Sequence, residues 1–400
     1  LHNGRHSFPT RRSSDLVTLR RELHRIPEVG LQLPETQAAV LRALDGLPLE
    51  VTLGETVTSV VGVLRGGRPT EGKRPVVLLR ADMDALPVEE LTGLDYAAAN
   101  GNMHACGHDL HMSMLIGAAH ELCSRRDELA GDVIFMFQPG EEGVDGCRYM
   151  LEEGLLDVAG SRPDWVYAIH VWSALDPCGT FSTKPGTVMA SSDVAKVRIV
   201  GRGGHGSTPQ RAADPVPALA EVTTALQTMV TRRFDVQDPV VVTVGLLQAG
   251  TIANVIPEDG RLEATLRAFS HEARDRLIAT IPQVVDGIAA AHGVTGEFSL
   301  VEQYPVTIND DAEADAVAGV VTDLFGADRH ARWEHPLAGA EDFSRLLEEA
   351  PGCFIGLSAC PPELDPATAP FNHSAYARFD DRVVPDGARV LAELARRKLA

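Results

Sequence analysis

Eight consecutive residues, HACGHDLH at 104–111, bring together three histidines, a cysteine and an aspartate. Imidazole nitrogen and thiolate sulfur are ligands of borderline transition metals such as zinc. Cys106 and His108 are two positions apart, so they would not share a helix face, but on a loop both can turn toward one point. The run is therefore a candidate metal site. The alternative is a polar loop that leads into a helix, with Asp109 as its N-cap.

Three continuous apolar runs, PVVLLR (75–80), DVIFMFQ (132–138) and WVYAIHVW (165–172), predict strands that are covered on both faces. Side chains that can bind metal or act as acid or base lie at the end of each run or within a few residues after it. They are Asp82, Glu141, Glu142 and His170. Because the carboxyl ends of parallel strands form the ligand-binding edge of an open α/β sheet, we expect these side chains to converge there.

Glu141 and Glu142 form a pair of adjacent carboxylates directly after the second run. A binuclear site needs anionic oxygen ligands, and hydrolysis needs a general base for the attacking water. Adjacent residues point in different directions, so one glutamate can hold metal while the other faces the water. Two exposed surface charges are the alternative.

Five residues are ambiguous when each is taken alone. His170 could be a satisfied core histidine, and His373 lies in a polar turn. His205 lies in a glycine-rich turn, where its ring could reach a substrate or simply decorate the surface. Arg267 could bind a substrate carboxylate through two hydrogen bonds, or it could be an exposed side chain on a strand. The sequence around Asn254 does not decide between a binding role and a surface position either.

The hydrophobic period changes after residue 184. The order of predicted elements within 185–300 is β-α-β-β-α-β, which is the ferredoxin-like signature. We therefore predict an α/β catalytic domain, with helices on both faces of a mostly parallel sheet, formed by 17–184 and 301–400. The inserted segment is expected to be a lid or dimerisation domain. Residues 1–16 are typical of translated cloning sequence, so we predict that they are a non-native leader.

The composition excludes several classes of partner. There are 36 basic and 56 acidic residues, a net charge of −20, so we expect no binding to nucleic acid or to anionic membranes. No apolar run approaches the roughly 20 residues that span a bilayer, and no signal peptide is evident, which predicts a cytoplasmic protein. The six cysteines are scattered, which indicates free thiols rather than a disulfide framework.

The order of several motifs then resembles a known family. The motifs are RRELHRIPEVG, RADMDALP, MHACGHDLH, QPGEEG, AIHVW, GRGGHGSTP, NVIPE, GAEDFS and FNHS. They resemble the metal-dependent N-acyl-amino-acid amidohydrolases, the branch of the aminoacylase and carboxypeptidase family that includes hippurate hydrolase, N-acetyl-diaminopimelate deacetylase and auxin-conjugate hydrolases. The resemblance covers residues 17–400.

This resemblance implies two divalent metal ions, zinc, manganese, cobalt or nickel, and a homodimer or dimer-based tetramer. The implied ligands are Cys106, His108, Glu142, His170 and His373. By the same match, Glu141 is the general base for a metal-bound water, and His205 stabilises the oxyanion in the neighbouring subunit. Asn254 and Arg267 would hold the substrate, and Asp82 would orient a histidine ligand from outside the ligand set.

The chain departs from the family pattern at a few positions. Arg80 stands where the carboxypeptidase branch has a ligating histidine, and Cys106 enters the ligand set, which favours the amidohydrolase branch. Leu110, Cys147 and Arg148 differ from relatives at positions expected on the rim of the site. The expected reaction is cleavage of the amide of an acylated amino acid. The alternatives are a carboxypeptidase or dipeptidase, and a catalytically silent metal-binding protein.

Overall fold

The computed structural model describes residues 13–400 and divides into two compact units. The large unit comprises the described chain up to Val188, Ile308–His335 and Arg345–Ala400. The inserted unit comprises Met189–Thr307 and Pro336–Ser344. The predicted insertion, 185–300, has limits similar to those of the first segment. The second segment, Pro336–Ser344, was not predicted, because its apolar residues do not recur with the spacing of a strand or a helix.

The predicted leader overlaps the first helix. Residues 1–12 of that leader lie outside the described residues. The first helix begins at Ser13, and Leu16 is buried in the core, so the helical fold starts four residues before the predicted Val17.

The strands of the described residues are two to ten residues long. In chain order they are β1 (Leu49–Leu53), β2 (Val60–Arg65), β3 (Val76–Asp82), β4 (Asp132–Gln138), β5 (Trp165–Trp172), β6 (Phe181–Thr183), β7 (Gly186–Met189), β8 (Ser192–Val200), β9 (Gly204–His205), β10 (Val240–Ala249), β11 (Val255–Ile256), β12 (Asp259–Ala268), β13 (Thr295–Tyr304), β14 (Thr307–Asn309), β15 (His330–Arg332) and β16 (Gly352–Ser358).

The helices range from single turns to six turns. They are α1 (Ser13–His24), α2 (Pro34–Leu44), α3 (His108–Ser124), α4 (Glu141–Val144), α5 (Gly146–Glu152), α6 (Pro215–Arg233), α7 (His271–His292), α8 (Asp311–Phe325), α9 (Ser344–Leu347) and α10 (Val384–Leu399).

The large unit is built on an eight-stranded mixed sheet in the order β1-β2-β4-β3-β5-β16-β6-β15. The four central strands, β4, β3, β5 and β16, are parallel to one another. Every residue of β3 and of β4 is buried, as their continuous apolar runs predicted. The predicted α/β class with a mostly parallel central sheet is confirmed.

The register of the central strands brings their polar ends to one edge of the sheet. Asp82 of β3 pairs with Gln138 of β4, the last residue of that strand. On the other side, Arg80 pairs with Ala168 of β5, two residues before His170. Polar side chains that lie far apart in sequence are therefore level with one another.

Helix α3 crosses the core of the large unit, where it packs against α1, α2 and α10. Fifteen of its seventeen residues are buried, so its polar side chains need internal partners. Ser113 donates to the carbonyl oxygen of Asp109, and His120 Nε2 lies 3.0 Å from the carbonyl oxygen of Ala43. Leaving such a buried group unpaired costs about 1–3 kcal/mol.

The start of α3 differs from the alternative interpretation, in which Asp109 caps a helix. The helix begins at His108, and its N-cap residue is Gly107. Asp109 lies in the first turn, where its carboxylate is 2.8 Å from Arg20 Nε and 2.7 Å from His24 Nδ1. Asp109 does not cap the helix, because burial against α1 gives this carboxylate stronger partners than a helix end does.

The inserted unit has an antiparallel sheet in the order β10-β12-β8-β13. Along β8 buried and exposed residues alternate, since one face packs against α6 and α7 and the other does not. The element order β8-α6-β10-β12-α7-β13 and this strand order confirm the predicted ferredoxin-like arrangement. In residues 13–400, no helix has both the length and the apolar character needed to cross a bilayer.

Candidate metal centre

The loop that carries Cys106 turns sharply into α3 at Gly107. Gly107 has a φ of 84°, in the left-handed region that glycine enters without a Cβ penalty. A Cβ there would lie 2.3 Å from Cγ2 of Val171, so the available space also demands glycine. The turn separates Cys106 from His108, and the ligating atoms of Cys106, His108 and His170 all lie within 4.8 Å of one another.

The ring of His108 is held in one orientation. Its Nδ1 atom donates a hydrogen bond to the carbonyl oxygen of Asp84 at 2.8 Å. Its Nε2 atom is buried and has no hydrogen-bond partner among residues 13–400. Carboxylate oxygens of Asp82 and Glu142 lie 3.7 and 4.0 Å from that nitrogen. An unpaired imidazole nitrogen that faces two carboxylates is the arrangement expected of a ligand to a divalent cation.

The electrostatics of the cluster are strongly negative. Burial disfavours the charged form of His108, but the carboxylates of Asp82 and Asp84 outweigh it and raise the pKa of His108 to about 10. Burial, with Glu142 nearby, raises the pKa of the Cys106 thiol well above its ordinary value. A bound cation would relieve both effects, because it neutralises the carboxylates and stabilises the thiolate.

The two glutamates lie on α4, a single turn that follows β4. Gly140, with a φ of 73°, precedes that turn. The main-chain amides of Glu141 and Glu142 donate to the two carboxylate oxygens of Asp84, each at 3.0 Å. One carboxylate oxygen from each glutamate and one ring nitrogen of His108 lie within 4.8 Å of one another. Asp84 therefore fixes the backbone from which both glutamates enter the site.

His373 enters the cluster from the segment that follows β16. Its φ is 72°, a left-handed conformation that costs a non-glycine residue about 1–3 kcal/mol. Its main-chain amide donates to the carbonyl oxygen of Ala105 at 2.9 Å. Its Nε2 atom lies 3.3 Å from Cys106 Sγ and 3.1 Å from Glu142 Oε1. The unfavourable backbone conformation is thus coupled to the placement of this ring beside a thiol and a carboxylate.

His170 is also oriented by the main chain. Its Nδ1 atom donates to the carbonyl oxygen of Val171 at 2.9 Å, and its Nε2 atom lies 3.4 Å from Cys106 Sγ. The same carbonyl oxygen accepts a hydrogen bond from Nδ2 of Asn372 at 3.0 Å. Asn372 was not singled out in the sequence, although it lies inside the FNHS motif.

The structure brings the five sequence-predicted ligands into one cluster. They are Cys106, His108, Glu142, His170 and His373. Cys106 belongs to two of the three-residue groups, one with His108 and His170 and one with Glu142 and His373. One thiol, three imidazoles and a carboxylate suit zinc, cobalt, nickel or manganese better than magnesium. These residues fit a pair of divalent cations.

Asp82 and His111 form a supporting pair next to the cluster. Asp82 Oδ1 lies 2.5 Å from His111 Nδ1, and His111 Nε2 accepts the main-chain amide of Val171 at 2.8 Å. Both ring nitrogens of His111 are therefore engaged within the protein. The other oxygen of Asp82 pairs with Arg80 at 2.6 Å. Arg80 therefore pairs with an aspartate two residues along the same strand.

Three predicted residues belong to the inserted unit. His205 is exposed on β9, and its Nδ1 atom accepts a hydrogen bond from the main-chain amide of Ser207 at 3.1 Å. In the neutral ring the hydrogen must then be on Nε2, which is available as a donor. Asn254 is joined to this turn, because its carbonyl oxygen accepts the amide of Gly206. Arg267 lies on β12, where burial lowers its pKa, and its Nη1 atom is buried without a hydrogen-bond partner in the described chain.

Two predictions about the rim of the site were wrong. Leu110 and Cys147 are both fully buried, and only Arg148 is exposed. Leu110 lies in the first turn of α3, which begins at His108, and packs in the core. Sequence reasoning also gave no role to Asp84, although it stands two residues after Asp82 at the end of the same buried strand.

Comparisons with known proteins give a family model and several relatives that match most of the chain. The model described as peptidase family M20/M25/M40 matches residues 78–397. Thermostable carboxypeptidase 1 of Saccharolobus solfataricus is 35% identical over 385 residues, which cover 95% of this chain and 94% of the relative. N-acetylcysteine deacetylase of Bacillus subtilis is 35% identical over 382 residues, which cover 95% of this chain and 96% of the relative.

A solved structure matches the whole fold. It is a Bacillus subtilis protein described as a dinuclear metal-binding peptidase of the M20 family, and it is 32% identical to this chain. The TM-score is 0.82, and the match covers 97% of this chain and 98% of that one. The two relatives at equal identity are named for different amide substrates, so identity alone does not choose between those substrates.

Proposed function

This chain belongs to peptidase family M20/M25/M40 and is a metal-dependent amide hydrolase, and from that premise we propose that its substrates are N-acylated amino acids. The family match confirms the resemblance that the sequence motifs indicated. The observation that carries the proposal is the gathering of Cys106, His108 and Glu142 with Glu141 at the end of the central strands. The name of the Bacillus subtilis deacetylase supports the acylated substrate.

The proposed cofactor is a pair of divalent cations, zinc, manganese, cobalt or nickel. The residues that would hold them are Cys106, His108, Glu142, His170 and His373. When bound, such cations act as Lewis acids that lower the pKa of water toward neutrality and polarise a carbonyl group. The buried and unpaired Nε2 of His108 supports this assignment.

Glu141 is the proposed general base. It is buried, and its carboxylate lies in the same group of atoms as those of His108 and Glu142. In the proposed reaction Glu141 takes a proton from water, and the water oxygen attacks the acyl carbon. The C–N bond then breaks, and Glu141 returns the proton to the leaving amine. The products are a carboxylic acid and a free amino acid.

The inserted unit supplies the other proposed roles, as a lid and dimerisation domain. His205 of the partner subunit would donate its Nε2 hydrogen to the oxyanion, and losing such a donor costs roughly a hundred- to a thousand-fold in rate. Asn254 and Arg267 would hold the substrate carbonyl and carboxylate; the unpaired guanidinium nitrogen of Arg267 supports an anionic ligand. Asp82 was expected to orient a histidine ligand, but the histidine that it holds is His111, whose two ring nitrogens are both engaged within the protein.

The proposed assembly is a homodimer or a dimer-based tetramer in the cytoplasm. All six cysteines are free thiols, which agrees with a reducing compartment. The runner-up function is a carboxypeptidase or dipeptidase of the same fold, which the name of the Saccharolobus relative favours.

One experiment separates these functions. The purified protein, after elemental analysis, is assayed with N-acetyl and N-benzoyl amino acids and with dipeptides. We expect bound divalent metal and faster hydrolysis of the acylated amino acids. Faster cleavage of dipeptides would replace the proposal with the runner-up. Metal binding without turnover of any of these amides would indicate a silent metal-binding protein.

A further inference from the structure

A column of aromatic rings begins at the metal cluster. The ring of His170 stacks on Trp172 with centroids 4.3 Å apart, and Trp172 stacks on Phe371 with centroids 5.8 Å apart and planes 8° from parallel. We call His170, Trp172 and Phe371 the aromatic stack. Trp333 meets Trp172 edge-on at 6.5 Å. The stack therefore connects a candidate ligand to the ring of Phe371.

The stack passes from the interior to the solvent. Trp172 is 6% exposed, whereas Phe371 is 43% exposed. Ligand-binding sites are commonly lined by aromatic side chains next to a few polar groups, and the aromatic side chains contact the apolar part of the ligand. The indole nitrogen of Trp172 is buried and has no hydrogen-bond partner among the described residues. Such an unpaired donor is tolerated more readily at a binding site than in an ordinary core.

A glycine makes room for this arrangement. Gly356 of β16 pairs with His170 of β5. A Cβ at position 356 would lie 2.4 Å from Cζ2 of Trp333 and 2.8 Å from Nε1 of Trp172. Both indoles can lie over this strand only because residue 356 has no side chain. The position of the stack is thus determined by the sheet beneath it.

Asn372 holds the backbone on both sides of it, and so positions the exposed ring of Phe371 and the candidate ligand His373. Asn372 lies between Phe371 and His373, and its Oδ1 atom accepts the main-chain amide of Ser173 at 2.9 Å. Its Nδ2 atom donates to Val171, the carbonyl oxygen that also orients His170. The backbone that places His373 beside the thiol therefore also places the exposed face of Phe371.

We propose that the stack, through the exposed ring of Phe371 that Trp172 supports from below, binds the acyl group of the substrate and selects flat aromatic acyl groups, such as benzoyl or arylacetyl, over acetyl. This inference rests on the proposed function. The acyl substituent is the uncharged end of such a substrate, and the rings offer apolar contact without a charge. The amino acid end carries a carboxylate, which needs polar or cationic partners instead.

The magnitude of the preference follows from the contact. A ring that stacks on Phe371 covers apolar surface and adds the stacking preference of an aromatic pair, whereas a methyl group covers little of either. Discrimination by apolar contact of this size is about tenfold to two-hundredfold. We therefore expect kcat/KM for N-benzoylglycine to exceed that for N-acetylglycine by about tenfold or more.

The test compares three substrates, N-benzoylglycine, N-acetylglycine and N-acetylphenylalanine, in the metal-loaded enzyme. Phe371→Ala should lower kcat/KM for N-benzoylglycine, mainly through KM, by about tenfold more than it lowers kcat/KM for N-acetylglycine. Phe371→Tyr should restore the wild-type ratio, and Trp172→Phe should lower it less than Phe371→Ala does. The control is Leu53→Ala, since Leu53 is 46% exposed on the edge strand β1 and should change nothing.

Each other outcome counts against the inference. If Phe371→Ala affects N-acetylphenylalanine instead, the stack binds the amino acid side chain and the proposal is overturned. Equal losses for all three substrates overturn it as well, because they indicate damage to the cluster rather than lost selectivity.

A binding measurement separates this inference from the proposed function. In a Glu141→Gln background, calorimetry should show that N-benzoylglycine binds about tenfold more weakly after Phe371→Ala. If the wild-type enzyme hydrolyses none of the three substrates but this difference in affinity is present, the proposed function fails and the aromatic site stands. An unchanged affinity overturns the aromatic site whether or not turnover is observed.

Discussion

Asp84 Oδ2 accepts a hydrogen bond from the main-chain amide of Glu142 at 3.0 Å. The other oxygen accepts the amide of Glu141, and the carbonyl of the same residue accepts Nδ1–H of His108. One aspartate thus positions two candidate ligands and the proposed general base. Because it reaches them through the main chain, we regard Asp84 as a positioning residue.

Replacement of Asp84 by asparagine tests this role. An asparagine side chain can accept only one of the two amides, and its own NH₂ group would face the other. Residues that support metal ligands typically contribute ten- to a hundredfold, so we expect kcat to fall by about that factor with metal retained at high concentration. The control is Asp164→Asn, because Asp164 accepts the amide of Val76 at the other end of β3. Equal losses in both variants would argue for a general stability effect.

Replacement of Glu141 by glutamine should remove the general base with little change of shape. General acid–base catalysis contributes about a hundred- to ten-thousandfold, and we expect turnover of acylated amino acids to fall by that factor. Elemental analysis should show unchanged metal content. Glu152→Gln, on the exposed end of α5, should retain full activity. Metal loss with retained turnover would reverse the roles proposed for Glu141 and Glu142.

Replacement of Cys106 by alanine should strip metal, since the thiol lies between two groups of candidate ligands. Metal that binds only the folded state raises the melting temperature by mass action. We expect the metal-dependent rise in Tm to disappear in Cys106→Ala. Cys123→Ala removes another buried free thiol from α3 and should keep that rise. Unchanged metal content in Cys106→Ala would mean that Cys106 is not a ligand.

Gly107 and Gly101 separate backbone strain from steric conflict. Their φ angles are nearly equal, 84° and 83°, but a Cβ at Gly101 would meet nothing within 4 Å. Gly101→Ala should therefore cost only the left-handed penalty, about 1–2 kcal/mol. Gly107→Ala also forces its Cβ against Val171, which adds about 1–3 kcal/mol and displaces Cys106. Urea unfolding and metal titration of both variants measure the two effects, and equal behaviour would contradict the steric argument.

Stability should depend on pH through His24. Its Nδ1 lies 2.7 Å from Asp109 and its Nε2 lies 3.2 Å from Glu90. Burial opposes its charge, but Asp109 outweighs burial and raises the pKa of His24 above 6.5. Because the folded-state pKa is raised, this stabilisation is full below 6.5 and is lost as pH rises through the folded-state value.

Urea midpoints at fixed metal concentration, from about pH 5 to about pH 9, test this dependence. The wild-type midpoint should fall over the upper part of that range more steeply than the midpoint of His24→Gln. His292→Gln removes an exposed histidine that lies 2.7 Å from Glu221, and its profile should follow that of the wild type. Parallel profiles for the wild type and His24→Gln would exclude His24 as the source.

Local sequence patterns predicted much of the fold. The apolar runs at 75–80 and 132–138 identified β3 and β4, because a strand buried on both faces has no polar face to interrupt it. The alternation along β8 marked the change to a half-exposed sheet in the inserted unit. Donor types and the rule that ligands gather at the carboxyl ends of parallel strands pointed to one sheet edge.

Other features depend on strand register and packing, which local patterns do not contain. The sequence showed that Asp84 follows a strand, but only the register of β3 with β4 places it under the amides of Glu141 and Glu142. Local patterns do not show that Gly107 caps α3, because this left-handed glycine is selected by contact with Val171, far along the chain.

The aromatic stack shows the same limit. Its rings belong to β5 and to the segment after β16, and they meet because Gly356 leaves space that no local period announces. The sequence by itself determined which elements form and which chemical groups are available. Tertiary structure alone decided which of those groups touch, because hydrogen bonds and ring contacts between distant residues are set by register and by the volume that neighbouring side chains leave.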